Sequence, residues 1–292
     1  MPSYTIEISD STVLLDEVSM IIYGQSGIGK STIAANMPDP FFVVMKGGGE
    51  HRPLHLVSRK IPWVSISTKS ELDQLLLDLK AKGMPSLEKH EGDPTAIAQL
   101  QAWKQQGKSD AEISNAFAAM GIQRPTTALF HPKTLVIDQL TTLYNIYMSD
   151  VIRTVSRKRE NMETPNLQDF GQARRRMLDF FQELNNLPGV HKVYLCLAEI
   201  DTDPQTQEQR GLPLLAGKLA QECMAFCDFI FYMFSDIVQN PQTKAISNVR
   251  RFATSVHGKW QARDSTGKLS KFIDLPDPRF DFWSHIVKEV SK

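Results

Sequence analysis

The stretch YGQSGIGKST, residues 23–32, holds the side chains best suited to chemistry. Gly24 is followed by four residues and then by Gly29, Lys30 and Ser31, which gives the spacing G-x-x-x-x-G-K-[ST]. Glycines in such a loop let several backbone N–H groups face phosphate oxygens, while the lysine reaches the β- and γ-phosphates and the hydroxyl binds Mg²⁺. An apolar run precedes the motif and a helix-competent run follows it, so we predict a working phosphate-binding loop. Its predicted nucleotide-binding residues are Gly24, Gln25, Ser26, Gly27, Ile28, Gly29, Lys30, Ser31 and Thr32.

A nucleotide site of this type also needs an acid at the end of a neighbouring strand. The run TLVIDQLTTLYN places Asp138 directly after four residues that favour strands. Asp is rare inside a strand but suits its C-terminal end, where ligands bind in open α/β sheets. The alternative is that Asp138 only caps the following helix. We predict that Asp138 and Ser31 together hold Mg²⁺.

Hydrolysis requires a group that orients water and positive charge for the transition state. Glu199 ends the run KVYLCLAE and Glu50 follows the run FFVVM, so either glutamate could polarise water; with Lys30 they are the predicted catalytic residues. Each glutamate could instead be a solvated loop acid. The sequence does not separate the candidate cations, and a cation from a neighbouring subunit would make hydrolysis depend on oligomerisation. These candidates are Lys46, Arg250, Arg251, Lys259 and Arg263.

Short apolar runs alternate with helical patterns along the chain. Near-continuous hydrophobicity in the runs predicts an α/β fold with a mainly parallel sheet and helices on both faces. The runs are SMIIYG (19–24), FFVVM (41–45), TLVID (134–138), KVYLCLAE (192–199) and DFIFYMF (228–234). The run RFATSV (251–256) alternates in polarity, which predicts an edge or antiparallel strand.

Two helices are well marked in the sequence. Apolar residues recur with a 3.6-residue rhythm from Phe170 to Leu187, and NLPG (186–189) ends that helix. A second helix lies within residues 67–83, where Ser70 and Asp73 predict an S-x-x-D start.

Residues 84–132 are polar, rich in helix breakers and carry only two weak helical segments. We interpret them as a helical insertion within a single domain that spans residues 1–292. A variable surface elaboration is favoured over a substrate lid, because surface loops vary freely.

The charge balance, the cysteines and the distribution of apolar residues limit the functions and locations that the sequence allows. The 33 basic residues (Lys and Arg) balance the 33 acidic ones, so contact with nucleic acid would need a local basic patch. Cys196, Cys223 and Cys227 are too few and too poorly placed for a zinc site and are predicted to be buried reduced thiols. The acidic N-terminal segment and the absence of a long apolar run predict a soluble cytoplasmic protein with no membrane contact.

The order of these motifs resembles the phage-encoded RecA-like ATPases, short relatives of RecA of the ATP-dependent single-strand annealing or recombination type (a phage nucleotide-binding, AAA-like family). The likeness covers about residues 18–45, 133–148 and 168–235, and more loosely 250–290. Its more specific pieces are GQARRRML…NNLPG and LPLLAGKLAQE.

The resemblance implies a RecA-like P-loop NTPase core that binds ATP and Mg²⁺ and whose ATPase is stimulated by DNA. It also implies a homo-oligomer that binds single-stranded DNA in phage recombination, annealing or replication, in the host cytoplasm, with phage or host recombination or replication proteins as possible partners. The resemblance also implies that Lys30 and Ser31 are the lysine and serine of the P-loop. It makes Asp138 the acid on the metal side and Glu199 a polar contact to the γ-phosphate.

The sequence departs from the family pattern after the second apolar run. RecA-like proteins place a catalytic glutamate there, whereas this chain has Lys46, with Glu50 displaced by four residues. A glycine hinge could bring Glu50 to the site, or Lys46 could mean weak hydrolysis. The run WQARDSTGKL is similar to the family's A-K-D-R run without matching it.

Basic clusters suggest where DNA would bind. Arg153, Arg157, Lys158 and Arg159 lie in a breaker-rich segment after the helix that follows Asp138, and we predict that they contact DNA phosphates. The triplet in ARRRM (173–177) is better interpreted as a solvated helix face. The nearby aromatics, Tyr144, Tyr147 and Phe170, are at least as well suited to the core.

Three functions remain open on these residues. One is a DNA-dependent ATPase, and another is a nucleotide-gated DNA-binding module with negligible hydrolysis, which Lys46 motivates. The third is a small-molecule kinase that uses residues 84–132 as a lid; the predicted strands and the family resemblance argue against it.

Overall fold

The structure is a computed structural model that describes residues 15–46, 61–80, 87–91, 93–155, 165–202, 207, 209–239, 246–277 and 280–292. The helices in this part of the chain are α1 (Lys30–Ala34), α2 (Lys69–Lys80), α3 (Pro94–Gln105), α4 (Asp110–Ala119), α5 (Leu140–Val155), α6 (Leu167–Asn185), α7 (Leu219–Ala225) and α8 (Phe282–Val290). The strands are β1 (Ser19–Gly24), β2 (Pro40–Met45), β3 (Trp63–Ile66), β4 (Leu87–Glu91), β5 (Thr126–Phe130), β6 (Thr134–Asp138), β7 (His191–Thr202), β8 (Gln209–Pro213), β9 (Phe229–Gln239), β10 (Ile246–Ala253), β11 (Arg263–Asp264) and β12 (Phe272–Leu275).

One ten-stranded sheet organises the fold. Its path is β12-β10-β9-β1-β7-β6-β2-β3, with β11 added beside β9 and β8 beside β7. The pairs from β9 to β3 along this path are parallel, whereas β8, β10, β11 and β12 pair antiparallel. This mixed α/β architecture is that of a P-loop NTPase fold, as the sequence predicts.

The parallel strands are apolar because both faces of the sheet are covered. In β1, Ile21 and Tyr23 face a core that also contains residues of α2, α5, α6 and α7. Met20 and Ile22 face the opposite core, which contains residues of α1 and α8. Successive side chains of a strand point to opposite faces, so one short strand supplies both cores.

The five apolar runs all form strands within a few residues of their predicted bounds. The sixth run, predicted as an edge or antiparallel strand, is confirmed as antiparallel, since β10 pairs antiparallel with β9 and β12. However, β10 begins earlier, at Ile246, and ends at Ala253. The strand prediction also missed β3 and β12, which are only partly buried and short.

The two predicted helices form with different starts. Asn166 caps α6 by accepting from the backbone N–H groups of Gln168 and Asp169. Phe170 then lies 42 % exposed on the first turn, so its assignment to the apolar stripe is wrong. In α2 the start is set by Thr68 and Glu71, whose side chains each accept a backbone N–H across the first turn; the Ser70–Asp73 start is therefore wrong.

The range predicted as a helical insertion, 84–132, contains α3 and α4 together with a strand pair that the sequence did not indicate. β4 and β5 pair antiparallel and bracket α3 and α4. The two helices share a small core of their own, formed by Ala96, Leu100, Ile113 and Phe117, with Trp103 packed against it. This packing explains how so polar a segment can hold two helices.

The three cysteines are free thiols in the core, as predicted. Burial raises the pKa of Cys196 to about 11 and also raises the pKa values of Cys223 and Cys227. No cluster of three His, Cys, Asp or Glu side chains suited to a metal occurs in the described part of the chain. Nor does any helix described there have the length and apolar character needed to cross a membrane.

A buried histidine joins the start of β7 to β1. His191 Nδ1 accepts a hydrogen bond of 3.3 Å from the Val18 backbone N–H, and its ring lies 4.4 Å from the Trp283 ring on α8. Burial, together with the charge of Lys192, lowers the pKa of His191 to about 4. Protonation would also remove the acceptor, because both ring nitrogens of a charged histidine are donors.

We expect the free energy of unfolding to depend on His191 between pH 6.5 and 4. The folded-state pKa lies below the unfolded value, so this stabilisation is complete above about pH 6.5 and is lost as the pH falls. Between pH 7 and 4.5 the wild type should lose about 2 kcal/mol more than His191→Gln in urea unfolding. His285→Gln on α8 is the control for the loss of a histidine side chain as such. An identical profile for His191→Gln and wild type would contradict the assignment.

Candidate functional site

The predicted phosphate-binding loop joins β1 to α1 at the C-terminal edge of the sheet. Gln25, Ser26 and Gly27 are exposed, whereas Gly24 ends the buried strand. A Cβ on Gly24 would lie 2.3 Å from the carbonyl oxygen of Met233 on the neighbouring strand β9. Only glycine therefore fits at the point where the chain leaves the sheet.

The loop ends at Gly29, the N-cap of α1, whose φ of 105° disfavours any other residue. Ile28 packs against the core that contains α1, and Thr32 is buried within the helix. Of the nine predicted nucleotide-binding residues, Gln25, Ser26 and Gly27 are thus the most exposed, and the remaining positions anchor the loop.

Lys30 turns back over the loop. Its Nζ donates hydrogen bonds to the carbonyl oxygens of Gly24 at 3.0 Å and Gln25 at 2.9 Å, and the residue is 8 % exposed. These carbonyls hold a buried ammonium beside the backbone that the motif assigns to phosphate. The geometry suits a lysine that neutralises phosphate oxygens.

Ser31 and Asp138 meet although 107 positions separate them in sequence. The Ser31 hydroxyl donates to Asp138 Oδ2 at 2.6 Å, and Asp138 is 2 % exposed at the end of β6. A hydroxyl and a carboxylate side by side are oxygen ligands of the type that Mg²⁺ takes, with phosphate and water completing its shell. The residues present therefore fit the predicted metal, and Asp138 is more than a helix cap.

Glu199 lies farther along the sheet edge than predicted. β7 continues to Thr202 because β8 pairs with its extension, so Glu199 stands within a strand, opposite Leu212. Leu197 is level with Gly24 and Leu195 with Asp138, which leaves Glu199 two residues beyond the start of the loop. Glu199 lines a cavity of 420 Å³ with Thr141, Asn145 and Leu214 among its walls. Glu50 lies outside the described residues.

Three of the five candidate cations have structural roles away from the loop. Arg251 bonds Asp236 and Asp274, each at 2.7 Å. Arg263 donates to the carbonyl oxygens of Met224 and Cys227 near the end of α7. Lys259 lies 6.0 Å from the ring centre of Trp260.

The other two candidates are placed differently. A nitrogen of the Arg250 guanidinium lies 2.6 Å from the position of a Cβ on Gly29, so this side chain packs on the phosphate-binding loop. Lys46 follows β2 and lines a second cavity, of 290 Å³, which shares Asn145 with the cavity beside Glu199. Sequence reasoning could not separate these five residues, and the structure brings only Arg250 to the loop among them.

The cavity beside Lys46 also contains Arg153, so two residues that the sequence analysis treated separately share one site. Arg157, Lys158 and Arg159 lie outside the described residues. Sequence reasoning missed the polar side chains that complete the cavity wall: Ser67, Thr68, Lys69, Ser70, Thr142, Asn145, Ser149 and Asp150. Thr142, Asn145, Ser149 and Arg153 recur at helical spacing, which is the signal that could have found this polar face of α5.

The arginine triplet on α6 is mostly occupied in ion pairs. Arg174 pairs with Glu222, and Arg176 pairs with Asp150. Tyr144 and Tyr147 are buried in the core, as the sequence analysis favoured. Phe170 alone of the three aromatics is exposed.

A family model matches most of the length of the chain. Residues 16–266 match the model of a protein family described as AAA domain. No curated protein matches the chain. The matched range contains the phosphate-binding loop, Asp138 and β10, and it ends before α8.

We expect Gly24→Ala and Gly27→Ala to differ sharply in stability. The added methyl group at Gly24 meets a backbone oxygen, whereas a Cβ at Gly27, with a φ of 75°, has nothing within 4 Å. Gly27→Ala should lower the free energy of unfolding by about 1 kcal/mol through backbone strain alone. Gly24→Ala should lower it by at least about 3 kcal/mol or prevent folding. Urea unfolding without nucleotide measures both, and equal losses would contradict the close approach of β1 to β9.

Proposed function

The chain belongs to the AAA domain family, and we propose that it is an ATP-hydrolysing protein that binds single-stranded DNA and acts in phage recombination, annealing or replication. The AAA domain itself indicates nucleotide binding and ATPase activity, with Mg²⁺ as the usual companion of the nucleotide. The DNA, the phage process, a homo-oligomeric state and partner recombination or replication proteins belong to the proposal.

The contact between Ser31 and Asp138 carries the nucleotide part of the proposal. It unites the end of the phosphate-binding loop with the acid at the end of β6, at 2.6 Å. Ser31 and Asp138 would hold Mg²⁺, which would supply positive charge to the phosphates during phosphoryl transfer. Lys30 supplies a buried positive charge, and the loop backbone supplies N–H donors.

The DNA part is supported by the cavity that Lys46 and Arg153 line. Both residues are exposed, and no hydrogen bond or ion pair to another described residue engages either side chain. Lys69 and Asp150, which also line the cavity, are instead paired with Asp73 and Arg176. The net charge of this wall is therefore positive, and hydroxyl and amide groups surround it, as suits a nucleic-acid phosphate.

A second candidate is a nucleotide-gated DNA-binding module with negligible hydrolysis. The observation that favours it is the position of Lys46, which occupies the place expected for an acid and lines the cavity shared with Arg153. In this version, ATP binding changes the affinity for DNA, and turnover is not needed.

The first experiment is phosphate release from ATP with Mg²⁺, measured with and without single-stranded DNA. We expect turnover that rises with DNA and falls at least about 100-fold in Lys30→Ala and Asp138→Asn, because the first removes positive charge at the phosphates and the second weakens the hold on Mg²⁺. Glu50→Gln and Glu199→Gln identify which glutamate, if either, acts on water. Tight ATP binding without turnover would reject the ATPase and favour the module.

We further expect Lys46→Ala and Arg153→Ala each to weaken binding of a labelled single-stranded oligonucleotide roughly fivefold at moderate salt. Each lost phosphate contact should reduce the slope of log affinity against log salt by about 0.7. Lys288→Ala, which removes an exposed lysine on α8, is the matched control and should leave both quantities unchanged. Unaltered affinity and slope in the two variants would exclude this cavity as a DNA contact.

A further inference from the structure

The phosphate-binding loop has a second cation beside it that the motif does not include. The Arg250 guanidinium occupies the space where a side chain on Gly29 would stand, with a nitrogen 2.6 Å from the Cβ position. Gly29 directly precedes Lys30, so two positive side chains border the same few backbone atoms.

Strand geometry explains why Arg250 reaches the loop. Phe252, two residues later on β10, is buried in the core that contains α1, and it pairs with Met233 of β9. Residues two apart in a strand share a face, so Arg250 points to the side of the sheet on which α1 lies. Met233 is itself level with Gly24, which puts Arg250 two residues beyond the start of the loop.

The neighbouring Arg251 serves as an internal comparison. It lies on the opposite face, where Asp236 and Asp274 hold it at 2.7 Å each. The Arg250 side chain, by contrast, makes no hydrogen bond or ion pair to another described residue. A guanidinium has five N–H donors and no acceptor, so it cannot bond the N–H groups of the loop, whereas an anion held by those N–H groups could accept from both.

We propose that Arg250 is a catalytic residue that contacts the γ-phosphate bound in its own subunit. The inference rests on the proposed ATPase function and specifies one of its parts: the transition-state cation acts in cis. Repulsion between Lys30 and Arg250 favours a polyanion over a monoanion at the loop, because several negative oxygens are needed to offset both charges.

The reaction step assigns Arg250 a purely electrostatic role. The oxygen of a water molecule bonds to the γ-phosphorus as the bond to the β–γ bridging oxygen breaks. The electron pair of that bond stays on ADP, and the water proton passes to solvent or a nearby base. Arg250 makes no covalent bond and stabilises the charge on the phosphate oxygens as it shifts.

The test compares Arg250→Ala and Arg250→Lys with Arg251→Gln, a change on the opposite face of the same strand. We expect kcat to fall at least about 100-fold in Arg250→Ala, with the Kd for ATP rising no more than about tenfold. The kcat of Arg250→Lys should lie between those of the wild type and Arg250→Ala, because lysine keeps the positive charge but lacks the planar guanidinium. Arg251→Gln should keep the wild-type kcat, and thermal unfolding checks that all three variants are folded.

Mixing variants distinguishes a cis from a trans cation. In a mixture of Lys30→Ala and Arg250→Ala subunits, an arginine acting across an interface would complete the intact loop of its Arg250→Ala neighbour. We expect the mixture to remain as inactive as its components. Recovered turnover in the mixture, or an unchanged kcat in Arg250→Ala, would overturn the proposal.

Failure of the ATPase itself leads to a separate readout. If the wild type binds ATP but releases no phosphate, the proposed ATPase fails, and Arg250 is then assessed from the ratio of ADP to ATP dissociation constants. A ratio that drops in Arg250→Ala but not in Arg251→Gln supports the phosphate contact. A ratio unchanged in both variants rejects it.

Discussion

The pairing of β1 between β7 and β9 is the constraint on which the site depends. All six residues of β1 are buried, and parallel ladders hold the strand on both sides. The phosphate-binding loop therefore leaves the sheet at a fixed point, against the Met233 carbonyl on one side. Asp138 approaches from beyond β7 and Arg250 from beyond β9. Neither contact could form if a neighbouring strand slipped by one residue, because each side chain would change face.

Polar groups lie at the C-terminal edge of the sheet, because the two cores on its faces are apolar. Lys30 and Asp138 are buried there and remain hydrogen-bonded, since a buried charge without partners would cost several kcal/mol. At the other edge, Lys192 is buried with its ammonium bonded to the Leu187 carbonyl at 2.7 Å, and burial lowers its pKa. Buried charges are thus compensated by hydrogen bonds at both edges, and the C-terminal edge also brings together the phosphate-binding loop, the Ser31 hydroxyl and Asp138.

The sequence predicted those parts of the fold that depend on local pattern. Apolar runs indicated the buried strands, and the motif spacing indicated the loop and Asp138. Strand β3 was not predicted, because Trp63 and Ser65 are exposed and the segment lacks a continuous apolar run. Glu199 was placed at a strand end because the pairing of β8, which extends β7, depends on a contact between segments. Arg250 could not be distinguished from Arg251 for the same reason: only the register of β10 decides which arginine faces α1.

Helix α5 connects Asp138 with the cavity that Lys46 and Arg153 line. It begins two residues after Asp138 and carries Arg153 in its last turn, so its 16 residues span about 24 Å, and Thr142, Asn145 and Ser149 line the cavity along that length. Leu140, Leu143, Tyr147 and Val151 pack its other side into the core, which makes the helix a rigid element. A nucleotide that moves Asp138 can therefore displace Arg153 only with the helix as a whole. Any coupling between the proposed nucleotide site and the cavity would run through this one packed helix, because it starts beside Asp138 and lines the cavity.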